Sequence, residues 1–254
     1  MTDQPLHIVF AGGGTAGHLF PGLAVAKCLT WAWGSAFETV HPHRKPPSYE
    51  DREGPRDIST VRITFAGSGK EFERRHVLAA GFEYLKLPCR PFPARWQQAL
   101  SCGARNLQGY LMARRFLRRQ NVSGVVGLGG YASVPMAKAA ARAGLPLVLL
   151  EQNAVPGRAT RWRATAATLV CVSMAEAASQ LRHWCPVHVT GNPIHARRRA
   201  PVSTAGLPGA RRRRLLVLGG SGGARALNEN VPHVLGALRA ELADWQIVHQ
   251  SGYS

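Results

Sequence analysis

At 254 residues the chain is long enough for one large or two small domains, and 45% hydrophobic content supports packed cores and argues against wholesale disorder. It contains no run of about 18 apolar residues, so no transmembrane helix is expected, and its apolar start, broken by glycines and lacking a basic lead, does not read as a secretory signal. The formal net charge of +18, mostly arginine, suits an anionic membrane, a nucleic acid or a phosphorylated substrate, or else simply solvated arginine on the surface.

Leu6–Phe10 is a short apolar run, the pattern of a buried parallel strand. Gly12, Gly13 and Gly14 let the backbone turn sharply, and Pro21 suits the first turn of a helix continued by Leu23–Leu29. Strand, glycine loop and helix start form an anion site, where main-chain N–H groups and the positive helix end converge, with His18 at its mouth. The spacing Gly12-x-Gly14-x-x-Gly17 also fits the dinucleotide fingerprint, as does a plain tight turn. Ala36–Val40 is a candidate strand, and 41–57, rich in Pro, Arg, Glu and His without periodicity, reads as an inserted loop.

Val61–Phe65 returns to strand character, and Gly67-Ser68-Gly69 leads into a helix over Lys70–Ala80, stopped by Gly81. Phe82–Leu87 is a strand closed by Pro88, and a long helix is predicted over Arg95–Arg119. Val122–Leu128 feeds a second glycine loop, Gly127–Ser133, and a helix over Pro135–Ala143 with Gly144 as its stop. Leu145–Leu150 ends in Glu151-Gln152-Asn153, polar residues at the carboxyl end of a strand, where open α/β sheets take ligands. Leu169–Val172 and Val187–Thr190 are further strands with a helix between them. Arginine, proline and glycine then dominate 195–214, a linker between a first domain over 1–194 and a second over 215–254. The second holds a strand at Leu215–Leu218, a third glycine loop at Gly219–Gly223, a helix over Ala224–Leu242 and a strand at Trp245–Gln250.

Alternating βαβ units imply a parallel α/β sheet covered on both faces. Three strand–glycine loop–helix turns imply a ligand held by several main-chain cradles across a cleft. Cys28, Cys89, Cys102, Cys171 and Cys185 have no CxxC spacing and read as reduced, buried small residues, neither disulfides nor a metal site. Nucleic-acid binding has only the charge behind it; Arg211–Arg214 reads as a linker face, and no nucleic-acid partner is expected.

The segments Gly13–Ala26, Val126–Ser133, Glu151–Gly157, Gly191–Pro193 and Leu218–Ala224, in this order and spacing, resemble the MurG-type glycosyltransferases of peptidoglycan synthesis. The resemblance implies a GT-B fold, two Rossmann-like domains facing across a cleft, and metal-independent, inverting transfer without a cofactor. UDP-N-acetylglucosamine is the implied donor and the membrane-bound undecaprenyl-diphospho-muramoylpentapeptide, lipid I, the implied acceptor, at the cytoplasmic face of the inner membrane. Donor contacts carry over onto Thr15, Ala16, Gly17, Asn153, His195 and Ser221, and the acceptor diphosphate onto Gly14, Gly130, Tyr131 and Ser133. In the same chemistry His18 is the candidate base for the acceptor's C4 hydroxyl, or else a structural residue bonded to the neighbouring loop. Tyr131 and Ser133 have a structural alternative too, packing and helix capping. Glu151 and Gln152 either orient the sugar or close the strand end, Glu151 leaning to structure.

Three departures from the family pattern stand out. Ala16 replaces a usual glycine, which is expected to restrict or crowd the first loop. His195 stands where an arginine would follow Asn-Pro, so that contact is expected to weaken or pass to Arg197. Family members also continue well beyond the last residue here, so the chain reads as C-terminally truncated: a fragment, one half of a split pair, or an inactive copy. The basic, aromatic-bearing stretch 95–119 suits either an anionic membrane surface or the solvated face of a core helix. Two alternatives to the transferase are a non-catalytic membrane- or partner-binding copy and an NAD-dependent oxidoreductase using Glu38 as its ribose acid.

Overall fold

A computed structural model describes residues 6–35, 61–91, 99–193, 213–220 and 223–252. Two compact units result, Met1–Arg197 and Arg198–Ser254. In chain order the first unit contains β1 (Leu6–Ala11), α1 (Ala16–Ser35), β2 (Val61–Gly67), α2 (Glu71–Ala79), β3 (Glu83–Lys86), α3 (Ala99–Arg119) and β4 (Gly124–Gly127). A 3-10 turn, Tyr131–Ser133, leads into α4 (Val134–Arg142), β5 (Leu147–Glu151), α5 (Arg158–Ala164), β6 (Leu169–Val172), α6 (Ala175–Leu181) and β7 (Val187–Val189).

The seven strands pair in parallel in the order β3-β2-β1-β4-β5-β6-β7. Successive strand residues point to opposite faces, and β1 divides its own: Val9 and Ala11 enter one apolar layer, Phe10 the other. The first layer packs small residues of α4 and α6, among them Ala137, Ala139, Ala140 and Ala177, so these helices lie close to the sheet. The second seats Leu19, Leu23 and Ala26 of α1 on Phe10 and Phe65, cross-strand partners whose rings stack 5.1 Å apart. This is the doubly covered parallel α/β sheet expected from the alternation of elements.

Several local expectations shift. α1 begins at Ala16, because the Thr15 carbonyl already accepts from the N–H groups of His18 and Leu19; Pro21 therefore sits inside the helix, not in its first turn, and cannot donate to the Gly17 carbonyl. α5 had no counterpart in the sequence reading. Cys102 alone of the five cysteines is buried; Cys28 is exposed and the other three are half-buried. The Cys89 thiol is pushed up to about 11, by burial first, and burial raises Cys171 and Cys185 as well, so these three stay neutral and poor nucleophiles near pH 7. The strand at Ala36–Val40, the insertion 41–57, Glu38 and most of the linker 195–214, His195 and Arg197 included, lie outside the described residues.

The second unit consists of β8 (Arg213–Leu218), α7 (Arg225–Ala237) and β9 (Trp245–Gln250), with the two strands parallel. β8 starts two residues before the expected Leu215 because Arg213 and Arg214 already pair with Trp245 and Gln246, the Arg213 guanidinium lying 5.8 Å from the Trp245 ring centroid. α7 stops at Ala237, well short of Leu242. No residue of α7 is buried, and Leu216, Leu218 and Val248 stay more than half exposed.

Candidate active site

From β1 the chain builds outward through β2 and β3, then returns to the other side of β1 as β4. Open α/β sheets bind ligands at such a switch point, outside the carboxyl ends of the strands. Here the loops after β1, β4 and β5 meet. Gly12 and Gly13 take φ +126° and +123°, open to glycine alone in practice, and a Cβ on Gly12 would lie 2.7 Å from the Gly129 carbonyl. The first two glycine loops thus touch backbone to backbone.

The ring of His18, near the start of α1, lies on this second loop. A Cβ on Gly129 would approach its Nδ1 and Cε1 to 3.3 Å, and one on Gly130 its Cδ2 to 3.6 Å. The glycines of the second loop make room for the imidazole. Nδ1 is 2.8 Å from Oε1 of Gln152, just past β5. An amide oxygen only accepts, so Nδ1 carries the proton and Nε2 keeps its lone pair. No partner meets Nε2 among the described residues.

Glu151, 2% exposed, organises the third side. Its Oε1 accepts from the N–H and Nδ2 of Asn153 (3.0 and 2.8 Å), and its Oε2 from the N–H of Gly157 and Oγ1 of Thr160 (2.9 and 2.5 Å). A buried carboxylate facing four donors is a structural anchor, in keeping with the leaning for Glu151. It folds the β5–α5 loop and holds Asn153 exposed, its side-chain oxygen left free to accept. Together these residues line a cavity of about 260 Å³ bounded by His18, Gly130, Tyr131, Asn153, Arg158 and Trp162.

A second buried carboxylate, Glu73, braces the opposite edge of the first loop. It accepts from Ser68 Oγ (2.7 Å), the N–H of Gly69 (3.2 Å) and the Tyr84 hydroxyl (2.6 Å). Burial first, and the Glu73 hydrogen bond next, hold the Tyr84 phenol far above its ordinary range, so it remains a donor. Lys70, the residue before α2, donates from Nζ to the Gly14 carbonyl at 2.9 Å. None of Lys70, Glu73 or Tyr84 was singled out in the sequence, since Tyr84 meets Glu73 through the β2–β3 pairing and Lys70 meets Gly14 through the β1–β2 pairing.

Of the residues expected at the site, His18, Gly130, Tyr131 and Asn153 line one cavity, and Tyr131 also lies across Gly14, where a Cβ would come 3.6 Å from its ring. Thr15 and Gly17 are exposed at the start of α1, and Gly17 has open space where a Cβ would be. Ala16 does not strain the loop: it is the first residue of α1, and among the described residues Asn121 is the one non-glycine with positive φ. Ser133 is buried and donates to the Gly130 carbonyl at 2.8 Å, closing the turn; it makes no helix-capping bond. Ser221 and His195 lie outside the described residues. Gln152 and the α5 residues Arg158 and Trp162 complete the site; of these only Gln152 carried a signal, its place beyond a strand's carboxyl end.

The profile of the glycosyltransferase family 28 N-terminal domain matches residues 58–172. A protein of Verminephrobacter eiseniae named UDP-N-acetylglucosamine--N-acetylmuramyl-(pentapeptide) pyrophosphoryl-undecaprenol N-acetylglucosamine transferase is 37% identical over 99% of this chain and 62% of its own length. One of the same name from Acidothermus cellulolyticus is 35% identical over 97% and 61%. The chain thus spans about three fifths of the curated relatives it matches. Among solved structures, the MurG of Acinetobacter baumannii superposes with a TM-score of 0.61 at 24% identity, over 98% of this chain and 67% of that one. The UDP-GlcNAc 2-epimerase of Neisseria meningitidis bound to UDP-GlcNAc superposes at 0.53 and 10% identity, over 97% and 65%. Likeness at these identities speaks for the GT-B fold; proteins of different activity share it.

Proposed function

We propose that this chain is of the MurG type of glycosyltransferase family 28, whose N-terminal domain profile and curated relatives it matches, and that it transfers N-acetylglucosamine from UDP-N-acetylglucosamine to the C4 hydroxyl of undecaprenyl-diphospho-muramoylpentapeptide, making lipid II for peptidoglycan synthesis. The observation that carries the reading is His18: its Nδ1–H is committed to Gln152, its Nε2 lone pair is free, and its ring borders a cavity at the switch point of the sheet. In the proposed step Nε2 takes the proton of the attacking hydroxyl as that oxygen bonds the anomeric carbon. The bond from that carbon to the UDP oxygen breaks, and the electron pair leaves with UDP. The imidazolium formed is stabilised by the Gln152 oxygen already facing Nδ1–H. The charge on UDP is met by main-chain N–H groups at the start of α1, Thr15, Ala16 and Gly17 among them, with Asn153 offering a side-chain oxygen to a sugar hydroxyl.

Gly14, Gly130 and Tyr131 are proposed to face the acceptor diphosphate, while Ser133 acts from behind by shaping their turn. His195 and Ser221 complete the proposed donor contacts. The linker at 195–214 and a separate UDP-sugar unit beyond it belong to the same proposal. The deciding assay is release of UDP from UDP-N-acetylglucosamine: release that depends on lipid I supports the transferase, and none with either full-length or fragment acceptor overturns it in favour of a non-catalytic binding protein.

The proposed place of work is the inner-membrane surface, facing the cytoplasm. No helix among the described residues is long and apolar enough to cross a membrane. α3 supports surface attachment instead: Leu100, Leu107 and Leu111, at 88%, 55% and 52% exposure, form one stripe, flanked by the exposed Arg105, Arg114, Arg115 and Arg118.

A further inference from the structure

Beside the His18 cavity lies a second one, of about 330 Å³, which shares Tyr131, Val134 and Trp162 with it. Among the described residues three cations, Arg90, Lys138 and Arg163, line it, and no carboxylate does. Arg163 Nε is buried behind that lining and meets no hydrogen-bond partner among the described residues, so its guanidinium is not spent on a neighbouring acceptor there. The Lys138 ammonium sits 5.2 Å from the Tyr110 ring centroid, a cation–π contact that orients it. Arg90 is fixed through its backbone: its N–H donates to Asn106 Oδ1 and its carbonyl accepts from Asn106 Nδ2, both at 3.2 Å. Such a chamber, positively charged and aromatic-walled, suits an anion.

We propose that this cavity binds the acceptor's peptide stem through a carboxylate, taken by Arg163 and Lys138 with Arg90 beside them. The inference rests on the acceptor proposed above. A peptide joined to muramic acid through its amino end carries a free carboxylate at the other. In that sugar the peptide hangs from C3, next to the reacting C4, whereas the diphosphate sits across the ring on C1. With the C4 hydroxyl at His18, the stem leaves the sugar nearest to the adjoining chamber, and the glycine loops remain for the diphosphate.

The test is calorimetric binding of soluble muramoyl-pentapeptide, lacking lipid and diphosphate, to the full chain. Amidating its carboxyl groups is expected to weaken binding about tenfold, as are Arg163→Gln and Lys138→Gln, each removing one charge-assisted hydrogen bond. Lys138 is exposed, so K138Q tests the charge without disturbing the core. Equal binding of the amidated peptide, indifference to both substitutions, or displacement by equimolar inorganic diphosphate overturns the proposal, the last reassigning the cavity to a diphosphate. Carboxylate-dependent binding without any transfer leaves this inference standing while the transferase reading falls; transfer without carboxylate dependence does the reverse.

Discussion

His18 and Gln152 lie 134 residues apart in the chain and 2.8 Å apart in space, the imidazole Nδ1–H facing the amide oxygen. The pairing sets the tautomer that a general base requires, so the two side chains have separable effects. His18→Ala should lower kcat by about 10²–10⁴ with little change in donor affinity. Gln152→Ala, which frees the ring without removing it, should cost about tenfold, and Gln152→Glu should retain activity while moving the acid limb of the pH–rate profile upward. Steady-state UDP release across pH checks all three; an unchanged kcat for His18→Ala removes it from the mechanism.

The glycines of the first two loops are not equivalent. Gly129→Ala would force a Cβ against the His18 ring at a φ of +89°, and Gly12→Ala would drive one into the Gly129 carbonyl. Each should destabilise the chain by about 1–3 kcal/mol. Gly17→Ala should instead raise stability by about 0.5–1 kcal/mol, because the site is helical and open. If the donor seats on that open face, the same substitution weakens UDP-N-acetylglucosamine binding. Urea unfolding and a fluorescence titration separate the two effects.

Replacing Glu151 with Gln turns one acceptor oxygen into an NH₂ that faces donors from Asn153 or from Gly157 and Thr160. At 2% exposure the mismatch cannot be relieved by water, and a loss of about 2–4 kcal/mol is expected. Thermal unfolding should show it, together with weaker UDP-N-acetylglucosamine binding if Asn153 contacts the donor as proposed, since Asn153 loses its anchor.

At the other end of the sheet, His7 is buried with Nδ1 3.1 Å from the Gln120 carbonyl and Nε2 2.9 Å from Thr64 Oγ1. Burial is the main cause that lowers its pKa below 6.5, with the Arg62 charge adding to it; the Gln120 bond and Glu83 oppose. The unfolded chain therefore takes up this proton first, so the contribution is present above about pH 6.5 and is lost as pH falls toward the folded value. Glu83 is held low chiefly by Arg62 and stays ionised across that window. Chemical denaturation at pH 7.5 and 5.5 should show lower stability at the acid end, and His7→Leu should flatten that slope.

For α3, retention on vesicles is the measurable consequence. Vesicles containing anionic lipid should bind the chain at low salt and release it as salt screens the arginines, and Leu107→Asp with Leu111→Asp should abolish retention. Equal retention on neutral vesicles would discard the electrostatic part of the idea.

Patterns that close within a few residues were legible without coordinates. The apolar run of β1, the glycines after β1 and β4, the stop at Gly144 and the polar Glu151-Gln152-Asn153 all follow from local sterics and burial, and they marked the ligand loops and His18 at the mouth of the first. α5 was not legible, since seven residues are too few to display a helical period, and neither was the early start of α1, which hangs on hydrogen bonds to Thr15. What only the tertiary structure decided was which distant groups meet: Gln152 at His18, Lys70 at the Gly14 carbonyl, Thr160 at Glu151, and Arg90 beside Lys138 and Arg163. Those encounters depend on strand order and register, and a side-chain period of two residues says which face a residue takes but not which strand lies next to it.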